Sequence, residues 1–241
     1  MNRLALLILG AALLAGPAGA VTVNGTDSIY NYGGTGVAGG GSTTPPEVSV
    51  LGYAGLALTF SATGLAQLTP GGGTFGLHGP DGNLPGFAMS VSQAAGISGV
   101  NSPNEDYLAG VFLNGGEGAT TGLANSDFSP AGTGETFASL SPVIDQVFFI
   151  GDGLTGTGSG LVQHFFVPVG ATMLVLGIVD ADGYNGPPGA YFDNAGSFDV
   201  GVNLPVRGGV PEPASWALMI AGLGGVGAAL RRRRRAVLAT A

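Results

Sequence analysis

Glycine occupies 47 of the 241 positions, and nothing else in the chain limits its fold so strongly. Each glycine inside a helix costs about 1 kcal/mol relative to alanine, so a chain this rich in glycine does not build a helical core. The glycines follow no Gly-X-Y period, which excludes a collagen-like triple helix. They separate short runs of Val, Leu, Ile and Phe, the pattern of many strands joined by turns. The prediction is an all-β fold. Strands are expected at Leu56–Thr63, Tyr107–Leu113, Leu161–Val167 and Thr172–Asp180, with Pro168–Ala171 turning between the last two. The final strand alternates cleanly: Phe198, Val200, Val202 and Leu204 face one way, and Ser197, Asp199 and Asn203 the other. That is the signature of a strand with one buried face in a β-sandwich.

Charge is distributed just as unevenly. The seven basic residues are Arg3, Arg207 and Arg231–Arg235, there is no lysine, and 14 of the 15 acidic residues precede Arg207. Such a surface repels phosphate backbones, which argues against nucleic acid as a partner. It suits divalent cations, or simple solubility outside the cell. The absence of cysteine removes disulfides and thiolate metal sites, so stability must come from packing and from any bound ion.

Both ends carry signals. Arg3, the apolar stretch Leu4–Leu14 and the small residues Ala18-Gly19-Ala20 form a secretory signal peptide, residues 1–20, with a mature chain beginning at Val21. Residues 21–47, including the glycine-rich 33–46, read as a flexible lead-in, and 48–205 as the β-sandwich domain. After them, Val210-Pro211-Glu212-Pro213 precedes an uncharged apolar run, 214–230, and the block Arg231, Arg232, Arg233, Arg234, Arg235. Its 17 residues would span about 26 Å as a helix, close to the lower limit for a transmembrane segment. The arginines are positioned to hold the cytoplasmic side. Residues 210–235 resemble the PEP-CTERM sorting signal. That resemblance implies handling by an exosortase-type processing enzyme, an inner-membrane-anchored precursor, and a mature form at the outer envelope or outside the cell. The G-x-G-x-x-G match at Gly222–Gly227 has no preceding strand and is not a nucleotide fingerprint.

One loop has the composition of a site. Asp180–Asn194 gathers three carboxylates, two amides and several glycines in fifteen residues, and hard cations such as calcium take six to eight oxygens of these kinds. It is not an EF-hand, and composition leaves open a loop whose Asp and Asn only form Asx turns. Within it, Pro188-Gly189-Ala190-Tyr191-Phe192-Asp193-Asn194 and the following Ala195–Val200 resemble the C-terminal loop and strand of small calcium-dependent galactophilic bacterial lectins. The resemblance implies a jelly-roll, galactose-binding-like sandwich. It also implies a calcium site formed by Asp193, Asn194, the carbonyls of Ala190 and Leu68, and Asp182 or Asp180 in place of the family's loop Asp. The sugar-contacting His and Gln of those lectins have no secure counterpart.

His78 reads as a turn histidine, His164 as a sheet-face residue, and Glu105-Asp106 as a solvated loop pair. No nucleophile–base pair, P-loop or G-x-S-x-G elbow occurs, so the expectation is a non-catalytic protein. Two functions fit: a calcium-stabilised domain that binds extracellular polysaccharide, or a structural exopolysaccharide and biofilm matrix protein with no specific ligand.

Overall fold

The computed structural model describes residues 19–34, 40–68, 76–82, 88–115, 122–206, 219–225, 227 and 231. The chain divides into two compact units, Met1–Val206 and Arg207–Ala241. The first is all-β, as the glycine and strand patterns predict.

Its longest ladder joins β3 (Ala57–Leu68) to β15 (Asn194–Asn203), antiparallel, from Asn194 opposite Leu68 to Asn203 opposite Thr59. Strand β1 (Gly19–Asn24) pairs with the other edge of β15, while β12 (His164–Phe166) and β8 (Ser139–Leu140) extend the sheet beyond β3. A second sheet runs β2 (Glu47–Ser49), β13 (Met173–Ile178), β6 (Leu108–Leu113) and β9 (Val147–Phe149). A third, made of very short strands, runs β14 (Asn185–Gly186), β4 (Met89–Val91), β5 (Val100–Ser102) and β7 (Ser126–Asp127). Strands β10 (Leu154–Gly156) and β11 (Ser159–Val162) form a separate hairpin.

The first two sheets meet through aromatic rings. Phe165 of β12 packs edge-on against Phe60 of β3 at 5.0 Å between centroids, and lies 5.5 Å from Phe148 of β9 in the facing sheet. Phe148 stacks in turn on Phe112 of β6 at 5.1 Å. Gly110 of β6 faces the Phe148 ring, and any larger residue would displace it. Every residue of β6 is buried, as a central strand covered on both faces requires. In β15 the alternation read from sequence holds: Phe198, Val200 and Val202 are buried, and Asp199 and Asn203 are exposed.

Three expectations change. The lead-in at 21–47 is, where described, part of the domain. Val21–Asn24 belong to β1, Ile29–Gly34 form a 3-10 turn, and Ile29, Tyr30 and Tyr32 are buried. Asp27 fixes this segment by accepting from the Asn24 backbone N–H (2.7 Å) and the Thr43 hydroxyl (2.6 Å). Gly177 of β13 lets its backbone approach closely, because a Cβ there would meet Ile29. The single strand expected over Leu161–Val167 breaks at Gln163, which is buried and donates its amide to the carbonyls of Glu135 and Phe137. The 168–171 turn then carries the chain from the first sheet to the second, so β12 and β13 do not form a hairpin.

Ala18 lies outside the described residues, and Ala20 pairs with Gly201 in β1. Cleavage after Ala20 would leave Val21–Asn24 in register with Val200–Ser197. Among the described residues no helix is long and apolar enough to cross a membrane. Residues 219–225, 227 and 231 are helical, and the rest of the expected span 214–230 lies outside the described residues.

Because Phe165 bridges the two sheets, Phe165→Ala is predicted to destabilise the domain by about 3–5 kcal/mol. Urea unfolding followed by circular dichroism measures this, with the midpoint falling and the slope unchanged.

Candidate cation site

The β3–β15 ladder sets the position of the site. Its first pair places Asn194 opposite Leu68, bringing the Leu68 backbone to the start of β15. Ala190 precedes a 3-10 turn, Tyr191–Asp193, in the left-handed conformation at φ 65°. That conformation costs a residue with a Cβ about 1–2 kcal/mol, so the surrounding structure must hold it. Tyr191 provides the hold: its buried hydroxyl donates to the Ile178 carbonyl (3.2 Å) and accepts from the Asp180 backbone N–H (3.1 Å). The Gly189 N–H donates to the Asp180 carbonyl (3.1 Å), closing the base of the loop. Its far side is tied to the third sheet, where β14 pairs in parallel with β4.

Asn194 and Asp180 meet at this base. The Asn194 amide donates to Asp180 Oδ2 (3.0 Å) and to the Gly25 carbonyl (3.1 Å), linking loop, strand and N-terminal segment. Its own Oδ1 is buried and receives no hydrogen bond. The same holds for Asp193 Oδ1 and Asp106 Oδ1. A buried acceptor left without a donor costs about 1–3 kcal/mol, so each of these atoms calls for an explanation.

The electrostatics show that these groups share one region. Burial raises Asp180 to about 8, helped by the charge of Asp106 and then Asp193, against the hydrogen bond from Asn194. Burial raises Asp106 to about 6; His78 pulls it down and Asp193 pushes it up. His78 Nε2 lies 3.0 Å from Asp106 Oδ2. Burial draws the histidine pKa down, but the hydrogen bond and charge of Asp106, with Gly79 and Glu105, outweigh it and the net shift is upward.

The residues named from sequence divide accordingly. Leu68, Asn194, Asp193 and Ala190 come together around one ladder end and one loop. Asp182 opens the neighbouring 3-10 turn, Asp182–Tyr184, and its side chain lies outside the described residues. Asp180, the alternative to Asp182, bonds directly to Asn194. Sequence reasoning missed Asp106 and His78. Glu105-Asp106 is not a solvated loop pair, because both residues are fully buried. His78 is no idle turn residue, being the base beside Asp106. His164 lies on an exposed sheet face, as read. The signal lay in the scarcity of bases: among the described residues up to 206 there is no Lys or Arg, so within them a buried carboxylate finds its basic partner in histidine.

Among the described residues, no three His, Asp or Glu side chains form a ready-made metal cluster. The donor set is instead mixed, comprising amide and carboxylate oxygens with nearby backbone carbonyls. That chemistry fits calcium and does not fit zinc.

Residues 209–235 match the PEP-CTERM protein-sorting motif. No curated protein and no solved structure matches the chain. The C-terminal segment therefore carries a sorting signal of the kind processed by exosortase-type enzymes, which implies export and a membrane-anchored precursor.

The raised carboxylates define a pH dependence. Unfolded, Asp106 and Asp180 would titrate near 3.9; folded, they do so at about 6 and about 8. The folded state therefore binds protons more tightly across that window, and metal-free stability falls as pH rises through it. His78, also raised, loses its contribution in the same direction. In EDTA the melting temperature is predicted to be lower near pH 8 than near pH 5. Calorimetric melts check this, and a rising profile would contradict it.

Proposed function

We propose that this protein is a non-catalytic, calcium-stabilised β-domain, delivered by its PEP-CTERM signal to the outer envelope or the extracellular matrix. The observation that carries the reading is the unpaired Asn194 Oδ1, buried at the start of β15 opposite Leu68 and on a side chain bonded to Asp180, a carboxylate that burial raises to about 8. Calcium would displace the proton that Asp180 holds. Asp193, Asn194 and Asp180, with the carbonyls of Leu68 and Ala190, would supply its protein ligands, leaving further coordination positions for hydroxyls.

A polysaccharide is the partner that suits this arrangement. Phe192 precedes Asp193 and is 72% exposed, an apolar residue of the kind on which a sugar ring packs. The acidic domain attracts no polyanion. The structural-matrix alternative shares the same delivery and lacks only the ligand.

Calcium bound only by the folded state is predicted to stabilise it by about 2.7 kcal/mol at a hundredfold excess over Kd. Melts of the full chain in calcium and in EDTA measure this. Asp193→Ala should reduce the shift, and equal melts in both conditions would refute the calcium reading. Phe192→Ala should abolish retention on neutral exopolysaccharide while leaving the calcium shift intact; unchanged retention would favour the structural alternative. Substituting Glu212 by Ala in the sorting motif should leave the precursor unprocessed, seen as a larger membrane-associated band on immunoblots.

A further inference from the structure

The two ends of the β3–β15 ladder differ in chemistry. At one end Asn194 pairs with Leu68, next to the acid-rich loop at 180–194. At the other, β15 runs past its pair Asn203–Thr59 toward Val206, and β1 starts at Gly19 opposite Val202. The 12 residues of β3 hold these ends about 35 Å apart.

Three loops close the second end. The Gly55 N–H donates to the Val167 carbonyl (2.8 Å), and the Val167 N–H donates to the Leu56 carbonyl (3.0 Å). The Val50 N–H donates to the Thr172 carbonyl (2.9 Å), so the 50–56 loop and the 167–172 turn form one surface. The third loop reaches the same turn, since a Cβ at Gly170 would lie 3.4 Å from Ile144. Val169 is 86% exposed, Leu51 62% and Val143 50%, and Leu56, Phe166 and Val206 are exposed as well. Residues 50–56, 142–144, 166–172 and 203–206 include no Asp, Glu, Lys or Arg. An uncharged apolar surface on an acidic domain marks a contact.

The chain itself indicates what that contact is. Residues 207–213 separate Val206 from the apolar run at 214–230, and fully extended they reach about 25 Å. The sorting motif implies a membrane-anchored precursor, so its bilayer lies within reach of this end of the domain. Lipid phosphates repel carboxylates, and an acidic domain approaches them most easily through an end that carries none.

We propose that the uncharged end of the domain seats on the lipid bilayer that anchors the precursor, with Leu51, Val143, Val169 and Val206 at the headgroup–acyl boundary. Apolar side chains at that boundary sit about 5–10 Å deep. Seated in this way, the domain directs Phe192 and the 180–194 loop away from the membrane. The seating rests on the sorting signal and not on the calcium site.

The chain has no cysteine, so Val169→Cys and Phe192→Cys each give a single attachment point for an environment-sensitive fluorophore. The full-length chains are reconstituted into phosphatidylcholine vesicles, with and without lipid spin-labelled at the headgroup–acyl boundary. The label at position 169 is expected to shift its emission to the blue and to be quenched by that lipid, and the label at 192 to do neither. Adding Leu51→Asp should weaken the quenching at 169; quenching that this change leaves intact belongs to the fluorophore and overturns the seating. A chain that does not float with the vesicles refutes the anchoring and the seating with it. A chain that floats, with the label at 169 quenched no more than that at 192, overturns the seating alone. A blue shift insensitive to the lipid quencher and growing with protein density shows a second copy covering this end, and overturns it too. If Val169→Cys fails to fold by circular dichroism, the same measurement at Leu51→Cys, with Val143→Asp added in place of Leu51→Asp, decides.

Discussion

Burying acid without base is the constraint on which this structure depends. Asp27, Asp81, Glu105, Asp106, Asp145 and Asp180 are all buried, in a domain whose described residues contain no Lys or Arg. A buried carboxylate must be paired, hydrogen-bonded or protonated. Asp27 takes the second course, through Asn24 and Thr43. Asp106 takes the first, beside the one buried histidine. Asp180 has only an amide and a backbone N–H to offset its burial, and it keeps its proton to about pH 8. Asp180 is therefore the buried carboxylate with the least compensation, and the proposed calcium ion would supply what the chain does not.

This constraint explains how the long β3–β15 ladder bears on function. Its register aligns the end of one strand with the loop that precedes the other, so that a backbone carbonyl, an amide and a carboxylate arrive together. Tyr191 fixes the loop from beneath. Phe192 next to it stays outside, so a single turn has one ring buried to position the site and another exposed at the surface. The sorting motif adds the setting, since it implies export from the cytoplasm.

Much of the sheet structure was legible in the sequence. The alternation of Phe198, Val200 and Val202 and the apolar run at 108–113 are direct imprints of one-sided and two-sided burial. The third sheet was not legible, because strands of two or three residues are too short to show a period. The N-terminal segment was misjudged because its glycine-rich part resembles a linker, whereas Ile29, Tyr30 and Tyr32 are buried and Gly177 lets β13 approach Asp27 and Ile29 closely. At the candidate site, the 180–194 loop stood out by its oxygen-rich composition, whereas the position of Leu68 opposite Asn194 rests on the β3–β15 register and not on the lectin resemblance, which no solved structure supports. Asp106 and His78 were not recognisable, because a carboxylate in a polar stretch reads as solvated until the fold buries it.

Diffraction from crystals of the protein grown in calcium, at a wavelength that reveals the ion's anomalous signal, addresses the cation directly. The predicted result is a peak at the start of β15, within coordination distance of Asn194 Oδ1 and the Leu68 carbonyl, with the Asp180 carboxylate turned toward it. The contradicting result is no peak there at saturating calcium, with Asn194 Oδ1 accepting a hydrogen bond from a protonated Asp180.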